Sequence, residues 1–204
     1  SIALILLASA LAVRAISGPF KAMRSSLDLF FMGAAFLLLE TKSVVQFALL
    51  FGTTWFVNAL VFAGILLSVL LAIEVAKRTK PNPRFLYGVL AVTIAIAFVV
   101  PESALLQLAV VPRFIVAVAI AFGPVLCANL VFAERFEMVE RPTVAFGANL
   151  LGAMIGGTLE YASLVTGYRA LLIVAALLYG LAFLPGRRYL VGRSTVGTRV
   201  AVRV

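Results

Sequence analysis

Glu40 and Lys42 place a carboxylate and an ammonium two residues apart inside an apolar run that extends from Leu29 to Phe51. A helical run of that length crosses a hydrocarbon core of about 30 Å. Both charges then lie in hydrocarbon, at a cost of about 3 kcal/mol each or more unless they are paired or solvated. Residues two apart on a helix point to different faces, so the two cannot neutralise each other and at least one needs a partner from another helix. Three chemistries fit such a pair. It can be part of an ion pair with amide helpers that fixes helix register. It can hold a carboxylate that changes protonation along a solute or proton path. It can also be completed by a partner subunit or an upstream domain.

The elements that must position these groups are membrane helices. The chain has 204 residues, 64% hydrophobic and 12% charged, with a mean hydropathy of +1.16. A soluble domain carries about 25% charged residues, so the composition predicts an all-α, polytopic transmembrane bundle. Apolar runs mark about seven spans, near Ile2–Val13, Asp28–Leu50, Thr53–Ala76, Phe85–Val100, Pro112–Ala133, Thr143–Val165 and Tyr168–Leu184. The first is short, and the chain enters it directly from Ser1, as a piece of a longer chain would. The break at Gly52-Thr53-Thr54 predicts a tight hairpin between the second and third spans. Pro101, Pro112, Pro142 and Pro185 fall near span ends, and Pro124 predicts a kink within the fifth. Residues 1–27 form the truncated first span and a basic connection, 28–185 the bundle, and 186–204 a basic tail. The tail reads as a flexible end attracted to anionic lipid, or as a strand over Arg199–Val204 where the pattern alternates weakly.

Fourteen of the seventeen Lys and Arg residues fall on one side of these spans or in the tail, and only Arg113 and Arg169 on the other. The excess predicts that the basic side and the C-terminus are cytoplasmic. It also accounts for the net charge of +9, so nucleic acid is not an expected partner. Membrane lipid is, together with partner subunits or a soluble domain upstream.

Helical rise predicts how deep the polar groups lie. Lys42 stands about 21 Å above Asp28 and Glu160 about 25 Å above Thr143. Asn58 lies just below the outer turn. These three share an outer layer with Glu40 beneath and Gln46 above, and Glu160 is the expected partner of Lys42. An inner layer contains Asn129 and Asn149, expected to hydrogen-bond between the fifth and sixth spans. Ala148, Gly152 and Gly156 recur every four residues and predict a close-packed seam, expected against the second span at Gly33-Ala34-Ala35. Trp55, Tyr161 and Tyr168 fall at the outer boundary and Tyr87 at the inner one, as interfacial anchors.

Other chemistry is sparse. The chain lacks histidine, which removes His-ligated haem, most zinc and copper sites and imidazole catalysis. Cys127 lies in an apolar helix and reads as packing. No GxGxxG, Walker A or nucleophile elbow occurs at a usable position, so no catalytic, cofactor or metal residue is expected within these residues.

The stretch Ser26-Leu27-Asp28-Leu29-Phe30-Phe31-Met32-Gly33 through Leu39-Glu40-Thr41-Lys42, with Leu49-Leu50-Phe51-Gly52-Thr53-Thr54-Trp55-Phe56-Val57-Asn58, resembles the C-terminal membrane region of bacterial multi-pass spermidine-synthase-like proteins. Asn149-Leu150-Leu151-Gly152-Ala153 and Gly156-Gly157-Thr158-Leu159-Glu160-Tyr161 are similar to a later segment of those proteins. The resemblance implies a bacterial inner-membrane protein and a parent chain with an upstream aminopropyltransferase or methyltransferase-like domain that binds S-adenosylmethionine or its decarboxylated form. No residue of such a site lies here. The expected function is a non-catalytic membrane domain: anchor, scaffold or accessory subunit. The alternatives are a small-solute or proton transporter using Glu40, Lys42, Asn58 and Glu160, or the membrane part of an enzyme completed upstream.

Overall fold

The computed structural model describes the backbone of residues 2–200 and the side chains of residues 3, 4 and 6–186. All regular structure among them is helical. The helices are α1 (Ile2–Ser17), α2 (Phe20–Met23), α3 (Leu27–Phe51), α4 (Trp55–Thr79), α5 (Pro83–Val99), α6 (Glu102–Leu106), α7 (Val110–Glu137), α8 (Pro142–Leu159), α9 (Ser163–Thr166) and α10 (Ala170–Val200), with single 3₁₀ turns at Arg24–Ser26 and Glu160–Ala162. Each of the seven apolar runs is helical, the sixth passing from α8 through the 3₁₀ turn at Glu160–Ala162 into α9. Four stretches are long and apolar enough to cross a membrane: Phe20–Phe51, Trp55–Thr79, Val110–Glu137 and Pro142–Thr166. Leu6–Ser17, Pro83–Val99 and Ala170–Gly186 are shorter apolar helices.

Local chemistry sets the breaks. Gly52 takes φ +94° between α3 and α4, a backbone region that side chains disfavour. Thr54 then caps α4 by accepting from the Val57 N–H at 3.2 Å. Asn82 caps α5, with Pro83 in the first turn where its missing N–H costs nothing. Pro124 lies inside α7, which continues across it. Pro185, expected at a span end, lies inside α10, which runs on to Val200. The segment expected to be flexible or extended is therefore helical as far as Val200, and the last four residues of the expected strand lie outside the described residues.

The bundle is organised around α3, which packs against α4, α7, α8 and α10. α7 runs antiparallel to it: Asp28 meets Arg135 at one end, while Phe47 meets Phe122 (5.6 Å between centroids) and Phe51 meets Phe114 (5.8 Å) toward the other. α4 and α5 pack on α7, α10 closes on α3 and α5, and α1 rests on α8. The α3–α8 contact is the most extensive in the bundle. A Cβ added at Gly152 would sit 1.8 Å from the Phe30 carbonyl oxygen, and one at Gly156 would sit 2.5 Å from that of Ala34. Residue numbers rise together along both helices, so α3 and α8 are parallel. Such a contact, backbone against backbone, supplies the van der Waals packing that holds helices together in lipid.

Candidate functional site

The α3 face toward α8 is spelled by Phe30, Gly33, Ala34, Leu37 and Thr41, which share one helical stripe. Its counterpart is Asn149, Gly152, Gly156 and Gly157 of α8, with Glu160 of the 3₁₀ turn that follows. At one end of this contact Thr41 Oγ1 donates to Glu160 Oε2 at 2.7 Å. At the other end Asn149 Nδ2 donates to the Leu29 carbonyl at 3.1 Å. That approach requires Gly33, where a Cβ would meet the Asn149 carbonyl oxygen at 2.2 Å. Ala148 is buried on the same helix, against Val13 and Met23 of the α1–α2 side.

This arrangement departs from the expected pairs in three places. Glu160 is bound by Thr41, because Thr41 carries the α8-facing stripe and Lys42 lies one residue, about 100°, further round α3. Asn149 bonds α3 and leaves Asn129 Nδ2 buried without a partner, because the glycine seam draws α8 to α3 and away from α7. Asn58 is exposed on the outside of the bundle. The inward stripe of α4 is Val57, Val61, Ile65, Ser68, Ala72 and Ala76, and Asn58 is off it.

Glu40 opens onto the space that this packing leaves between α7 and α8. A cavity of about 230 Å³ is lined there by Gly33, Phe36 and Glu40 of α3, Asn129 and Phe132 of α7, and Asn149 of α8, among others. Glu40 is half-buried, and among the described residues it has no ion-pair partner. One carboxylate and two amides thus face a mostly aromatic and aliphatic recess.

Lys42 belongs to a separate cluster. It is only 2% exposed, and its Nζ donates to Gln46 Oε1 at 2.7 Å, one turn along α3. Gln46 is wholly buried, with Nε2 unpaired. Glu102 of α6 and Arg169, at the start of α10, lie within electrostatic reach of the ammonium. Tyr168 lies beside Glu102 in the same cluster. Arg169 donates to the Phe98 carbonyl and stacks over the Phe98 ring. Arg113 donates to the Leu106 and Leu108 carbonyls at 2.8 and 2.9 Å. The two arginines that stand apart from the basic side of the chain therefore tie down the α5–α7 connection and the α9–α10 turn above Lys42. One oxygen of Glu102 and the Nε of each arginine are buried without hydrogen bonds, and such atoms are what an ordered water would satisfy.

At the opposite end of α3, Asp28 is 1% exposed and pairs with Arg135 of α7, with the Tyr87 ring of α5 close enough to feel both charges. Sequence reasoning placed Asp28 at a span boundary and Arg135 in a basic loop, and missed the pair. The available signal was an acidic residue opening one apolar run and a basic residue closing another, both on the same membrane side. Glu102 carried a similar signal as the acidic residue on the same side as Arg113 and Arg169. No group of three or more His, Cys, Asp or Glu among the described residues could hold a metal ion. Compared with protein-family models, curated proteins and solved structures, the chain matches none.

Proposed function

We propose that the chain is a non-catalytic membrane domain, a scaffold or accessory module of a spermidine-synthase-like bacterial membrane protein. In this reading it has seven spans, with the basic side and the C-terminus in the cytoplasm. The observation that carries it is the Thr41–Glu160 hydrogen bond at 2.7 Å. It joins the two stretches on which the resemblance rests, and it uses their polar groups for helix packing. Lys42 donates to Gln46 within α3, which holds the ammonium on its own helix. The seven-span topology is supported by the alternating directions of α3, α7 and α8 and by the basic excess at one end. It is checked by cysteine labelling with a membrane-impermeant maleimide. Thr53→Cys and Asn82→Cys should react from opposite sides, and labelling from one side defeats the topology.

A second reading, transport, is favoured by one observation: Glu40 lies on a recess and lacks an ion-pair partner. The recess wall is mostly aromatic and aliphatic, which suits a lipid-facing or helix-facing groove better than a water path. Reconstituted in proteoliposomes, the scaffold gives no proton flux above protein-free vesicles, and Glu40→Gln changes nothing there. A proton flux that Glu40→Gln abolishes replaces the scaffold reading with the transport one.

A further inference from the structure

A different recess separates α5 from α10. It encloses about 330 Å³ and is bounded by Arg84, Gly88, Ala91 and Ile94 on one helix and by Ala176 and Gly180 on the other. Missing side chains create it: a Cβ built at Gly88 or Gly180 meets nothing within 4 Å. Its floor is aromatic, with the Tyr87 and Phe183 rings 5.1 Å apart edge to face. From Arg84 to Ile94 it spans ten residues of α5, about 15 Å of rise. That is half of a hydrocarbon core of about 30 Å, the depth of one leaflet.

The mouth is cationic. Arg84 is exposed in the first turn of α5, where the positive end of the helix dipole also favours an anion. Lys77 and Lys80 stand nearby in sequence at the end of α4 and in the linker. Among the described residues Arg84 has no carboxylate partner.

We propose that this groove binds one phospholipid of anionic headgroup, its phosphate at Arg84 and one acyl chain lying between α5 and α10. The length of the recess selects a leaflet lipid, and the charge at its mouth selects an acidic one. Basic pockets between membrane helices recognise anionic headgroups by this combination. The site rests on the reading that α5 and α10 cross the bilayer; labelling Asn82→Cys and Gln107→Cys, which flank α5, from opposite sides tests the α5 crossing separately from lipid retention.

The test is native mass spectrometry of the whole chain released from nanodiscs that contain equal phosphatidylglycerol and phosphatidylcholine. The expected result is one retained phosphatidylglycerol, with at least fivefold preference over phosphatidylcholine. Gly180→Leu fills the groove and should remove the adduct. Arg84→Gln, at an exposed position that does not endanger folding, should lower the preference at least threefold while leaving the melting temperature in detergent unchanged. Equal retention of both lipids by the wild-type chain, or an unchanged preference in Arg84→Gln, overturns the proposal. A lipid-free dimer of the wild-type chain also overturns it, by giving the groove to a second copy.

Discussion

Asp28 and Lys42 are both almost completely buried on α3, yet opposite solutions hold them. Asp28 touches a guanidinium from a neighbouring core helix. Lys42 touches a neutral amide of its own helix and meets charge only through connecting segments, at Glu102 and Arg169. The Asp28 end of the bundle is closed by a contact between two long helices. The opposite end is closed by loops that arginines fasten to carbonyls. The first arrangement ties a charge to the packing of the core, and the second ties it to the placement of turns.

The sharpest way to break this comparison is to remove one member of each arrangement. Arg135→Gln leaves Asp28 buried beside a neutral group and should cost about 3–5 kcal/mol in unfolding experiments in mixed micelles. Gly152→Ala forces a Cβ against the Phe30 carbonyl and should cost about 1–3 kcal/mol by separating α3 from α8; the same unfolding measurement checks it. Lys42→Met removes a buried ammonium and leaves Gln46 Oε1 unpaired. These effects oppose each other, so the net change should stay within about 1 kcal/mol. A loss as large as that of Arg135→Gln would show that the two ends are held alike. Asn58→Leu, on the exposed face of α4, should shift stability by less than about 0.5 kcal/mol; a larger drop would place Asn58 in the polar layer after all.

The comparison also explains what was legible beforehand. Runs of apolar residues locate helices because hydrocarbon demands a continuous span, and Leu27–Phe51 and Trp55–Thr79 begin and end within three residues of the expected positions. Depth follows from rise, which is why Thr41, Lys42 and Glu160 fall at one level. Azimuth does not follow from depth. Lys42 and Thr41 share a level and differ by about 100°, enough to give Glu160 to the hydroxyl instead of the ammonium. Asn58 fails for the same reason. Its neighbour Val57 begins the inward stripe, and an apolar helix in lipid shows little contrast between faces to reveal this. Glu102 and Tyr168 were hidden differently, because where a turn folds over a bundle end depends on helices distant in sequence.

The parallel seam of α3 and α8 has a consequence for how the chain is made. Parallel neighbours cannot come from a hairpin, and Thr41 waits 119 residues for Glu160, as Asp28 waits 107 for Arg135. At a synthesis rate of about 5–20 residues per second, α3 spends roughly 5–20 s in or beside the insertion machinery before its partners emerge. During that interval Asp28 lacks Arg135 and the small face at Gly33-Ala34 lacks α8, while Lys42 already has Gln46 on the same helix. A ribosome stalled between α5 and α7 would therefore hold a nascent chain whose central helix is the one least suited to be released into the bilayer alone.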